Sequence, residues 1–183
     1  MPSDWLTGPT VALRAHGQDD LDATRRYGAD PEVTRDLLWG PDSPEDAAAF
    51  LARVVAQATC GHVTSTGWPS CSVRRANRSE QPASACRRHR GAAATSATSC
   101  ADMCRQGVAT EAARLLLGFG FAVLGRRRIE ATCDPDNVAS RRVLEKLGMQ
   151  FEGRLRDDLP MRDGWRDSLL FSIVEGEWRA HQP

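Results

Sequence analysis

QGVATEAARLLLGFGFAVLGRRRIEATCDPDNVASRRVLEKLGM, residues 106–149, decides the fold. From Gly107 it runs through Ala112, Ala113, Leu115, Leu116, Leu117, Phe119 and Phe121. That spacing makes a helix apolar around most of its circumference, and so predicts a buried one. After Gly125, residues 127–133 alternate as a strand. Asp134, Pro135 and Asp136 then turn the chain into a second helix from Asn137 to Leu147, with Val138, Val143, Leu144 and Leu147 as its apolar side and Gly148 as its left-handed cap. Helix, strand, helix predicts a parallel crossover.

Both helix starts bear on chemistry. Gly107 permits close backbone approach, and the first-turn N–H groups have no helical partners, so a diphosphate fits beyond that end. Glu111 in the same turn suits the helix dipole, which is also how an ordinary core helix begins. Asn137 and Ser140 stand one turn apart on one face of the second helix, where they either present polar atoms to a ligand or cap the helix.

Toward the N-terminus, residues 10–14 alternate like a half-buried strand, and Asp19 and Asp20 open a polar helix ending near Gly28. Pro31 and Pro44 each mark a first helical position; from Pro44 the residues Ala47, Phe50, Leu51, Val54 and Val55 keep helical spacing. Leu37, Leu38 and Trp39 join these helices, as core packing or as the lining of a substrate mouth. Toward the C-terminus, residues 151–159 and 167–174 read as strands joined by a turn at residues 162–164, an antiparallel hairpin. Trp165 and Trp178 read as packing residues, with Met161 and Trp165 alternatively bordering an acceptor entrance.

Residues 60–105 break this pattern. They contain no Leu, Ile, Phe or Tyr, but hold seven Arg, seven Ser and five of the six cysteines, a composition that predicts a solvated linker rather than core strands. So long a structureless insertion is unusual inside one domain. Cys86 with His89, and Cys100 with Cys104, have passable spacing for zinc, yet Cys60 and Cys71 have no partners at matching intervals. We therefore expect no metal site. A frame change offers another account: every basic residue but Lys146 is arginine, which suggests GC-rich coding. Residues 94–100 can be encoded so that the same bases, read two later, give Asp-Ile-Gly-Tyr-Ile-Leu, and residues 67–73, at the same offset, so that they give Leu-Ala-Val-Val-Leu-Arg. Both are strand text.

The 183 residues suit one domain, and 24 acidic against 24 basic residues leave no global field for nucleic acid or an anionic membrane. The chain has no long apolar run, and its start lacks the basic and apolar parts of a signal peptide, so a cytoplasmic location is expected.

Together, residues 106–112, 128–131, 134–149, 151–153 and 163–170 resemble the GNAT superfamily of N-acetyltransferases, most closely its RimJ/RimL-like branch of ribosomal-protein N-terminal acetyltransferases. The resemblance implies an α/β (α+β) fold over residues 1–183, a mixed twisted sheet flanked by helices on both faces, with strands two to four disrupted here by residues 60–105. It implies acetyl-CoA as cosubstrate, held by backbone N–H groups of Gln106, Gly107, Val108, Ala109 and Thr110, with Arg105 crowding or charging the loop and Cys104 standing where Gln or Arg is usual. Asn137 resembles the pantetheine-facing Asn, and Ser140 the hydroxyl that protonates the departing thiolate; the Tyr used by other branches falls on Leu144. Glu130 is a candidate for holding the amine or a base water, or else a solvent-facing strand residue. The implied acceptor is a protein N-terminal amine, with a small-molecule or antibiotic amine as second choice, and a homodimer is admitted. A catalytically impaired remnant and a zinc-stabilised binding module are the alternatives.

Overall fold

A computed structural model describes residues 6–30, 43–59, 71–75, 83–85, 107–161 and 164–181. The chain opens with a tight antiparallel hairpin, β1 (Leu6–Thr7) and β2 (Val11–Ala15), closed by a bond from the Gly8 N–H to the Val11 carbonyl at 2.8 Å. A 3-10 turn leads into α1 (Leu21–Ala29), and α2 (Pro44–Thr59) follows. The start of α2 is set reciprocally: Ser43 Oγ accepts from the Asp46 N–H, while Asp46 Oδ2 accepts from the Ser43 N–H and hydroxyl.

Strands β3 (Cys71–Arg75) and β4 (Ala83–Ala85) extend the first sheet, in the order β1-β2-β3-β4 and antiparallel throughout. This corrects the linker reading of residues 60–105 at these two places. Val73 is the one large apolar residue of the two strands, but the backbone pairing of β3 with β2 and of β4 with β3 needs only N–H and C=O groups in register, which any residue but proline has. The rest of that segment, with both zinc-like pairs, lies outside the described residues, as do Pro31 and Leu37, Leu38 and Trp39.

Helix α3 (Val108–Ala122), strand β5 (Arg128–Cys133), helix α4 (Val138–Lys146), strands β6 (Gln150–Met161) and β7 (Gly164–Val174), and helix α5 (Glu175–His181) complete the chain. The expected hairpin forms, longer than its sequence signal: β6 and β7 pair from Gln150 with Ser172 to Met161 with Gly164. β7 is central, in the order β5-β7-β6, and every pairing among the described residues is antiparallel. The crossover expected around α3 therefore shows no parallel partner for β5 among those residues.

Helix α3 is buried because it faces two cores with two neighbouring stripes. Ala113, Leu117 and Phe121, four residues apart, pack with Ile129, Ala131, Cys133, Leu169, Phe171 and Ile173. Val108, Ala112 and Leu116, offset by one residue, pack with Val11 and Leu13. One helix thus joins β2 to the second sheet. Trp178 stacks on Phe121 with ring centroids 6.0 Å apart, as a packing residue should. Trp165 does not: it is 65% exposed on β7, on the same alternation as Leu169, Phe171 and Ile173 but at the strand's start, before the residues that enter the core. Val138 is likewise 53% exposed, while Val143, Leu144 and Leu147 hold the apolar side of α4. No helix among the described residues is long and apolar enough to cross a membrane.

Candidate active site

The first turn of α3 is built to leave backbone donors open. Gly107 takes the left-handed conformation, φ 76°, and a Cβ there would meet nothing within 4 Å. The first helical bond runs from the Glu111 N–H to the Gly107 carbonyl at 3.0 Å, and no side chain caps the helix, so the N–H groups of Val108, Ala109 and Thr110 have no helical partners. Open space ahead of a left-handed glycine and three donors without a partner among the described residues fit a diphosphate, which needs close backbone approach and N–H groups rather than a specific side chain. Arg105 and Gln106 lie outside the described residues.

The second helix start follows β5. Because only a short link joins α3 to β5, the strand runs back along the helix, and its carboxyl end returns toward the amino end of α3. There the Asp134 carboxylate accepts from the Asp136 N–H at 2.7 Å and pairs with Arg166 of β7 at 2.8 Å, fixing the turn into α4. Asn137 caps α4, its Oδ1 accepting from the Ser140 N–H at 2.9 Å. The capping reading is thereby realised. It does not exhaust either side chain: the Asn137 amide NH2 and the Ser140 hydroxyl carry no hydrogen bond among the described residues, and both residues are half-buried. Leu144, where other branches would have Tyr, packs against the core and has no proton to give.

Glu130 lies on the face of β5 opposite the core. Its carboxylate pairs with Arg128, which also holds Glu152 at 2.9 Å, and Glu152 in turn accepts from the Ser172 hydroxyl. Any base role for Glu130 therefore requires Arg128 to release it. Cys133 is no nucleophile: burial, then the nearby Asp134 carboxylate, push its thiol up to about 11, so it is uncharged at neutral pH. Among the described residues no three His, Cys, Asp or Glu side chains come together as a metal cage.

Two polar clusters have no signal in the sequence. In the first, Asp20 is fully buried, bound by Arg14 through both terminal guanidinium nitrogens and by the Gly17 N–H at 2.8 Å, with His16 Nδ1 at 3.7 Å. Burial pushes the Asp20 carboxyl up, but His16, Arg14 and the Gly17 N–H outweigh it and hold it well below the usual carboxylate range. The second is Glu111, bonded to a hairpin about a hundred residues away.

A family model for the acetyltransferase (GNAT) domain matches residues 10–150. The chain is 41% identical over 73 residues to the uncharacterized N-acetyltransferase YnaD of Bacillus subtilis, covering 40% of this chain and 43% of that one. It is 28% identical over 75 residues to the spermidine N(1)-acetyltransferase of Escherichia coli strain K12, covering 41% and 40%. The match thus spans about two fifths of the length of these curated relatives. Among solved structures, a GNAT-family acetyltransferase of Bacillus anthracis aligns with a TM-score of 0.75 at 23% identity over 93% of this chain and 98% of that one. Mycobacterium smegmatis RimJ, in complex with CoA-disulfide, aligns with a TM-score of 0.66 at 24% identity over 93% and 87%. At such identities the likeness speaks for the fold.

Proposed function

The chain belongs to the GNAT acetyltransferase family, and from that premise we propose that it transfers an acetyl group from acetyl-CoA to a primary amine by direct attack within a ternary complex. The observation that carries this reading is the open first turn of α3, behind a left-handed Gly107 with free space before it. In this reading the N–H groups of residues 106–110 hold the diphosphate, and the Asn137 amide NH2 faces the pantetheine arm. Acetyl-CoA supplies the activated acyl group. The chain's own residues orient the reactants and handle protons. The amine loses a proton to Glu130, once freed from Arg128, or to water, and its nitrogen forms the new C–N bond as the C–S bond breaks. Ser140 delivers its hydroxyl proton to the departing sulfur and recovers one from water.

The first-choice acceptor is a protein N-terminal α-amine, supported by the motif resemblance to the RimJ/RimL branch and by the shared fold with RimJ. Similarity to a spermidine acetyltransferase favours a small polyamine as the second reading. Thiol release measured with N-terminal peptides and with polyamines separates the two. Faster release with one class selects it, and none with either means a chain that does not transfer to these amines.

That last outcome has a physical motive. In this family the carbonyl is polarised from a strand that falls within residues 60–105, whose composition is foreign to a sheet. We read that segment as translated out of frame. Sequencing the coding DNA for residues 59–106 tests this, and one GC-rich frame without a compensating pair of indels contradicts it.

A further inference from the structure

We propose that Glu111 is a positioning residue for coenzyme binding, clamping the open end of α3 to the β1–β2 hairpin so that its free N–H groups keep the spacing a diphosphate requires. The proposal rests on the coenzyme reading above.

By charge alone Glu111 is the wrong residue for its place, since a carboxylate in the first turn opposes an anion arriving at the same helix end. The structure commits it elsewhere. Glu111 Oε1 accepts from the Thr10 N–H at 2.8 Å and the Val11 N–H at 3.2 Å, and its other oxygen accepts from the Thr10 hydroxyl. Three donors from one hairpin therefore spread the negative charge. Burial raises the carboxyl's pKa, and these hydrogen bonds more than offset it, so the group stays ionised and bound at neutral pH. The fit is close on the other side too. A Cβ on Gly8 would collide with Glu111 Oε1 and come within 3.3 Å of Leu115 Cδ1, so a bare backbone at residue 8 is what admits the carboxylate. Below this contact Val108, Ala112 and Leu116 pack against Val11 and Leu13. That packing holds the helix body, while Glu111 is the polar tie nearest the free donors.

Calorimetry with acetyl-CoA and steady-state kinetics on the full chain test the idea in four proteins: wild type, Glu111→Ala, Glu111→Gln and Gly8→Ala. Gln can rebuild the clamp, its carbonyl taking both N–H groups and its NH2 donating to the Thr10 hydroxyl. Expected are a Kd and KM for acetyl-CoA about tenfold higher in Glu111→Ala, unchanged kcat at saturating coenzyme, unchanged acceptor KM, and values close to wild type in Glu111→Gln. Gly8→Ala, which displaces the carboxylate but leaves α3 intact, should raise the coenzyme KM in the same sense and covers the case in which Glu111→Ala fails to fold. The sign is diagnostic, because a purely electrostatic view predicts tighter binding once the carboxylate is gone. Unchanged or tighter binding in both Glu111→Ala and Gly8→Ala, beside a wild type that binds, overturns the positioning role alone. A wild type that does not bind acetyl-CoA overturns the coenzyme reading and this proposal with it.

Discussion

Ser140 and Asp20 show how differently two polar residues serve one fold. The Ser140 hydroxyl has no hydrogen-bond partner among the described residues, so its removal costs little packing. If it protonates the leaving thiolate, Ser140→Ala lowers kcat by roughly 10²-fold while the coenzyme Kd stays near wild type; equal kcat in the two proteins removes it from the mechanism. Asp20 instead stabilises the fold. Its folded pKa is depressed, so its contribution is present above about pH 4 and fades as pH falls below that range toward the folded value. At neutral pH, Asp20→Asn should cost about 3 kcal/mol by removing the fully buried carboxylate that pairs with Arg14. Urea unfolding of both proteins at neutral pH and near pH 2.5 reads this directly: the gap should narrow at the lower pH, and a constant gap contradicts the ion-pair account. Neither role was visible in the sequence to the same degree. Ser140 stood out by its spacing from Asn137, whereas Arg14 and Asp20 are polar residues in unremarkable positions until β2 and the following turn bring them together.

At the scale of elements, legibility followed the range of the interactions. Helix α4 was readable at both ends because its caps are local: Asn137 bonds three residues ahead, and Gly148 sits at φ 78° just past the helix. That glycine makes a sharp prediction. Gly148→Ala places a Cβ in a left-handed conformation and 3.0 Å from the His181 ring, and should cost on the order of 1–3 kcal/mol, whereas Gly153→Ala, which meets nothing within 4 Å, should leave the unfolding midpoint nearly unchanged. Equal midpoints for the two variants would remove the cap argument. The hairpin β6–β7 was readable from alternation and a turn, but its irregularities, between Phe151 and Gly153 and between Leu155 and Leu159, were not. These register shifts depend on partners across the strand pair, such as Asp167 accepting from the Asp157 N–H at 2.9 Å. Strands β3 and β4 were missed altogether, since they are short and, Val73 apart, hold only small or polar residues in place of the large apolar ones that mark a core strand.

For the whole molecule, α3 explains why so much of the fold could be read from a single stretch. Its two stripes reach both cores, so the helix that announced itself most clearly in the sequence is also the one that joins β2 to the second sheet. The same helix carries the open N-terminal turn, which links the fold to the proposed chemistry without a further element. What stayed illegible lies in contacts between distant parts, above all Glu111 on Thr10 and Val11, because no local pattern encodes a partner about a hundred residues away. The family follows from the match over residues 10–150; the activity turns on whether that open turn grips its coenzyme. Isothermal titration of the full chain with acetyl-CoA measures this most directly. The account predicts saturable binding of one coenzyme per chain, and the absence of any binding heat at millimolar acetyl-CoA would contradict it.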